Sequence, residues 1–141
     1  LVILNLPYWF KNPFSLQQIL SWVFLLASIV LIFQSVFLIK KIGGHEERGE
    51  NSINYKFENT SNLVKEGVYK YIRHPMYSSL LFLSLGTLLK NFSVYAILLA
   101  AFAILFILIT AKTEEKENIS FFGSSYTDYI KETKMFIPYI F

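Results

Sequence analysis

Long apolar runs separated by polar stretches set the plan of this chain. No charged residue occurs between positions 14 and 39. A bilayer core of about 30 Å needs roughly 20 helical residues, so this run predicts a tilted spanning helix over residues 14–39. Lys40 and Lys41 stop it, and Lys11 bounds its other end. Gln17, Gln18 and Gln34 are its polar exceptions, placed near the ends where headgroups or a neighbouring helix can satisfy them. The preceding LVILNLPYWF is apolar but too short to span. It reads either as the end of a helix or as an interfacial piece with Tyr8 and Trp9 at headgroup depth.

Residues 40–74 change character. Most of this stretch is polar, with Gly43, Gly44 and Gly49 as breakers and no hydrophobic period, the pattern of an exposed loop. A second apolar region follows over 75–111, interrupted only by Lys90, Asn91 and Ser93. It predicts a transmembrane helical hairpin with arms over 76–89 and 92–111 and the tip LKNFS. From residue 112 to 141 the chain is amphipathic. Phe121, Phe122, Tyr126, Tyr129 and Ile130 recur at helical spacing, which predicts either an interfacial helix or one folded back over the cytosolic mouth of the bundle. The expected fold is therefore all-α, an integral membrane helical bundle forming a single domain.

Composition strengthens that picture. Hydrophobic residues make up 54% of the chain and charged residues 16%, against about 25% charged in soluble domains. The missing polarity is accounted for if much of the surface faces lipid. Seven of the 13 Lys and Arg lie between 40 and 74 and four follow residue 111, leaving Lys11 and Lys90 elsewhere. The positive-inside rule then places the central loop and the C-terminal segment together in the cytosol. All ten acidic residues fall in the same two segments, so chemistry that needs polar side chains has one face available. With no cysteine there is no disulfide, thiolate metal site or cysteine nucleophile. The net charge of +3 is too small and too scattered to point to nucleic acid. No basic region precedes the first apolar run, which speaks against a cleavable signal peptide.

Three constellations on the cytosolic face can carry chemistry. The first is GVYKYIRHPMY, residues 67–77. Pro75 suits the first turn of a helix, where its missing N–H would be unpaired anyway, and it pushes His74 towards extended geometry. Arg73 and His74 then flank a helix N-terminus that favours a carboxylate, and Arg73 can add a forked pair of bonds. The bland alternative is interfacial anchoring by Arg, His and Tyr. The second is AKTEE, residues 111–115. Two carboxylates at the C-terminal end of a spanning helix meet its negative pole. Either Thr113 caps a new helix whose first turn holds Glu114 and Glu115, or one carboxylate binds ribose hydroxyls or a cationic amine. The third is FGSSYTDY, residues 122–129, followed by Ile137 and Pro138, which alone is a turn and an aromatic face. His45 with Glu46 and Glu47 imitates a metal cluster, but its glycine-rich setting reads as a solvated charge run. No metal is assigned.

In this order around a hairpin, the three constellations resemble the isoprenylcysteine carboxyl methyltransferase family and its phospholipid methyltransferase relatives. The shared pattern is G-x-Y-x-x-x-RHP-x-Y, a hairpin, a Glu-Glu pair, FG-x-x-Y-x-x-Y and a closing proline, and it covers residues 63–138. The resemblance implies an enzyme that binds S-adenosylmethionine in a cytosol-facing pocket closed by the C-terminal segment and methylates a lipophilic acceptor, favouring a carboxylate. It implies that Tyr69, Arg73, His74, Pro75 and Tyr77 line the cofactor and reaction site. Glu114 and Glu115 match the acidic pair that contacts the cofactor, and Tyr126 and Tyr129 help cover it. Arg73, His74 and Glu114 are the expected catalytic residues, with His74 orienting the ligand or accepting a proton. Family members usually have more spanning helices before this region, which marks the chain, beginning at Leu1, as part of a larger bundle. Two rival readings remain. One is a membrane reductase of the sterol reductase type using NADPH, for which no further basic cluster suited to a 2′-phosphate is present. The other is a non-enzymatic scaffold whose charged face binds a partner.

Overall fold

The computed structural model describes residues 1–44 and 60–141. The cluster of His45, Glu46 and Glu47 lies outside them, as do Arg48 and Lys56 of the positive-charge count. Helix α2, Leu16–Leu38, begins where Ser15 caps it by accepting the Gln18 N–H at 3.3 Å. It widens into a looser turn over Ile39–Gly43 instead of stopping at the lysine pair. Gly44 ends it with φ +67°, the left-handed conformation that glycine adopts without a Cβ penalty.

Helix α3, Pro75–Leu88, and helix α4, Val94–Phe122, form the hairpin. Ser93 caps α4 by accepting the Ala96 N–H at 3.2 Å. At 1.5 Å per residue, the 14 residues of α3 rise about 21 Å and the 29 of α4 about 43 Å. So α3 falls short of the bilayer core, and the last turns of α4 project beyond it.

Here the structure corrects an expectation. The sequence pattern ends the second arm near residue 111 and places an interfacial segment over 112–141, with Thr113 as the cap of a new helix in one of its two readings. Instead α4 runs without a break through Glu114 and Glu115, and Thr113 bonds back to the Ile109 carbonyl at 2.9 Å within the same helix. Lys and Glu are good helix formers, and the carboxylates find cationic partners, which removes the reason to break. The break comes at Gly123, φ +60°, and helix α5, Ser124–Glu132, follows.

Helix α2 packs closely along α3. Ser21 donates to the Gly86 carbonyl at 2.6 Å, and a Cβ on Gly86 would meet Leu25 and Ser21 at 3.0 and 3.1 Å. Glycine makes that approach without displacing either neighbour. The N-terminal residues, a single turn α1 (Val2–Asn5) and a tight turn over Leu6–Tyr8, cover the hairpin tip. Asn5 donates to the Thr87 carbonyl at 2.8 Å.

Outward faces of the long helices carry Val23, Leu26, Val30 and Phe33 on α2, and Leu98, Phe102, Leu105 and Ile109 on α4, all exposed. Only 22% of each apolar window is buried within the protein. A water-soluble surface does not present continuous apolar faces of this size. The protein is an integral membrane protein, and lipid completes the packing of these helices.

Candidate active site

The site forms where the projecting end of α4 meets the segment that leads into α3. Gly67, φ +56°, opens a tight turn over Gly67–Lys70 that points Tyr69 inwards. The Tyr69 hydroxyl shares a 2.6 Å hydrogen bond with Ser35 of α2, and its carbonyl accepts from the Tyr129 hydroxyl at 2.5 Å. Both partners are buried, so Tyr69 is fixed at both ends.

The next residues run extended beside the C-terminal tail. Lys134 N–H donates to Tyr71, Arg73 N–H to Lys134 and His74 N–H to Met135, at 3.0, 2.8 and 3.1 Å. Ser78 in the first turn of α3 donates to the Phe136 carbonyl at 2.8 Å. The tail is thereby tied to the RHP motif through its backbone, independent of tail side chains. His74 sits just outside α3 with φ −120° and ψ 60°, and Pro75 opens the helix, as the sequence predicted.

Arg73 and His74 reach the acidic pair. Arg73 Nε donates to Glu115 Oε1 at 2.6 Å, and its Nη1 donates to the carbonyls of Thr133 at 2.6 Å and Ile130 at 3.3 Å. His74 is 4% exposed and lies between the rings of Tyr77 and Phe136, with centroids 5.6 and 6.0 Å away. Its Nδ1 is 3.7 Å from Glu114 Oε2 and its Nε2 is 3.5 Å from Glu115 Oε1. Consecutive helical residues point in different directions, and this separates the carboxylates. Glu114 lines a cavity; Glu115 is engaged by Arg73 behind it.

That cavity has an empty volume of about 570 Å³, part of it open to solvent. Arg73, His74, Glu114 and Tyr126 give it a polar side, and Ile39, Val64, Met76 and Phe122 an apolar one. Tyr69, Pro75, Tyr77 and Tyr129 also line it, so eight of the nine residues singled out from the sequence surround one space and Glu115 braces it. Burial raises the hydroxyl pKa of Tyr126 and of Tyr129, keeping both protonated. They offer the cavity aromatic faces, and the Tyr129 hydroxyl is committed to the Tyr69 carbonyl.

Sequence reasoning missed the wall contributed by Ile39, Thr60, Leu63 and Val64. An apolar residue at the end of a span and a polar loop carry no signal that they converge. Asn118 was also missed, although its position four residues after Glu114 places it on the same helical face. Nothing in the tail marked Thr133 as the partner of Arg73, because the contact is made by its backbone carbonyl.

The profile of the phospholipid methyltransferase family matches residues 16–125. The chain is 41% identical over 80 residues to a protein-S-isoprenylcysteine O-methyltransferase of Schizosaccharomyces pombe, covering 55% of this chain and 34% of that relative. It is 34% identical over 71 residues to a methanethiol S-methyltransferase of Pseudomonas deceptionensis, covering 50% and 26%. Over 123 residues it is 27% identical to the methanethiol S-methyltransferase of Crocosphaera subtropica, covering 86% and 44%. The aligned regions thus span under half the length of these relatives. No solved structure matches the chain.

Proposed function

Because the chain belongs to the phospholipid methyltransferase family, we propose that it transfers a methyl group from S-adenosylmethionine to a lipophilic acceptor at the cytosolic membrane face. The observation that carries this reading is one cavity at the end of α4 joining Arg73, His74 and Glu114 to an apolar wall. A polar donor bearing sulfonium, ammonium and carboxylate charges and an apolar acceptor both find matching surface there.

The residues fit the donor's chemistry. Glu114 can accept from ribose hydroxyls or from the ammonium group. The first turn of α3 has N–H groups without intrahelical partners, and beside Arg73 it suits a carboxylate. Phe122 and Tyr126, with centroids 6.4 Å apart and nearly parallel, offer aromatic faces to a purine. When bound, S-adenosylmethionine supplies a sulfonium methyl that is already electrophilic.

The protein's work is then positioning and exclusion of water. Glu115 holds Arg73 in place, and the tail strands Arg73 and His74 in fixed register. His74, packed between two rings and facing both carboxylates, orients the ligand. The relatives named for isoprenylcysteine make a lipophilic carboxylate the leading acceptor, which needs no general base. The relatives named for methanethiol make a thiolate its competitor. Methylation assays with a farnesylated cysteine and with methanethiol decide between the two.

The test is calorimetric binding of S-adenosylmethionine and S-adenosylhomocysteine to the detergent-solubilised full-length protein, with NADPH as comparator and Glu114→Ala as control. Micromolar binding of the sulfonium donor and its product, lost in the variant, is expected. Binding of NADPH alone would replace this reading with the reductase, and no binding to a folded sample would remove the enzymatic reading. His74→Ala separates two roles: weaker donor binding marks an orienting contact, whereas unchanged binding with slow turnover marks a proton acceptor.

A further inference from the structure

The projecting turns of α4 carry three cavity-lining side chains at successive four-residue steps: Glu114, Asn118 and Phe122. Residues four apart share one face of a helix, and each step rises about 6 Å. One wall of the cavity therefore runs carboxylate, carboxamide, aromatic ring, in that order. In the function proposed above Glu114 and Phe122 both serve the donor, which leaves Asn118 between them.

Asn118 is 8% exposed, and a carboxamide buried to that extent needs its polar atoms engaged. Its amide donates to the hydroxyl oxygen of Tyr126, which lies in α5 beyond the break at Gly123. A primary amide has two N–H donors and an oxygen with two lone pairs, more than a single phenol engages. The Tyr126 ring is itself nearly parallel to that of Phe122, at an angle of 18°. Asn118 thus stands at the hydroxyl rim of the aromatic surface that a purine would cover. The bond to Tyr126 also fixes which way the amide is turned.

Adenine carries a 6-amino group beside the N7 acceptor, and a carboxamide answers the pair with its oxygen and one N–H. A 6-oxo purine sets an acceptor where the amide oxygen needs a donor. With one N–H held by Tyr126, the amide does not turn to offer both. We propose that Asn118 reads the purine edge of the donor and makes the site selective for an adenine nucleoside over its 6-oxo counterpart. The inference rests on the proposed function and deepens it. Phe122 and Tyr126 supply stacking that any purine gains, and Asn118 supplies the choice among purines.

Calorimetric binding of S-adenosylhomocysteine and S-inosylhomocysteine to the detergent-solubilised full-length protein tests this, since the two differ only at the purine edge. The adenine compound should bind about ten-fold tighter or more, the worth of one paired contact of this kind. Asn118→Leu, close to the same shape, should bring the ratio of affinities near one. A merely structural role would weaken both ligands alike and leave the ratio unchanged. Asn118→Asp keeps the acceptor oxygen and should keep the preference. Equal affinities in the unsubstituted protein, a ratio that survives Asn118→Leu, or a preference lost in Asn118→Asp each overturns the proposal. Circular dichroism checks that every variant is folded. If neither compound binds the folded unsubstituted protein, the proposed function fails and this inference with it; binding without selectivity removes this inference alone.

Discussion

Both ends of this bundle bury charge, in opposite ways. At the hairpin tip Lys90 is 2% exposed, its ammonium 3.0 Å from Gln18 Oε1 and 3.4 Å from the Trp9 carbonyl. The Trp22 ring centroid lies 3.7 Å from it, and the Trp9 ring closes another side. Among the described residues no carboxylate pairs with it; π faces and neutral oxygens surround it. At the other end Arg73, His74, Glu114 and Glu115 converge, and one carboxylate is left facing a cavity. A charge whose neighbours use all of its capacity fixes the fold. A charge held beside a cavity keeps capacity for a ligand.

Substitutions at the two ends should therefore fail in different assays. The largest effect is expected for Glu114→Ala, with donor affinity falling about 100-fold, the worth of one or two charge-assisted hydrogen bonds, and the unfolding midpoint little changed. Glu115→Ala should do the reverse at first: it strands Arg73, 9% exposed at its side chain, and lowers stability by about 3 kcal/mol. Its loss of donor binding should be secondary and partly restored in Glu115→Gln, which keeps an acceptor for Arg73. If Glu114→Ala and Glu115→Ala prove indistinguishable in binding and in stability, the division between a ligand carboxylate and a bracing one is wrong. Lys90→Met at the tip should cost about 2 kcal/mol through the lost cation–π contacts, with blue-shifted or quenched tryptophan fluorescence and donor affinity intact.

The smallest effect concerns pH. Burial holds the Tyr126 and Tyr129 hydroxyls above the ordinary phenol value. In the unfolded chain they ionise near pH ~10, so only the unfolded state sheds these protons there. Their stabilising contribution is intact below that pH and declines as pH rises beyond it. Chemical denaturation in detergent at a series of alkaline pH values should show the decline, and Tyr126→Phe should reduce it.

Much of the architecture was legible in the sequence because its causes are local. The charge-free run over 14–39 and the lysines after it predicted α2 within a few residues, and the proline after Arg73 and His74 predicted where α3 begins. The motif residues were legible for a related reason: Arg, His and paired Glu at a membrane boundary are costly unless something uses them. Less was legible where two local outcomes have similar free energy. Whether residues 111–115 end one helix or continue it depended on whether the carboxylates would meet the negative end of a helix alone or with Arg73 and His74 beside them. Those partners are some 40 residues away in sequence and 2.6–3.7 Å away in space.

By itself, then, the sequence determined a helical membrane protein with a polar, motif-bearing end, since hydropathy and helix-start chemistry act within a few turns. Only the tertiary structure decided that Glu114 faces the cavity while Glu115 binds Arg73, that Ile39 and Val64 supply the apolar wall, and that Lys90 is caged by two tryptophans. Each of these depends on which helices lie side by side and how closely. That closeness is set by contacts such as Ser21 with Gly86, made between residues whose types would suit many other arrangements.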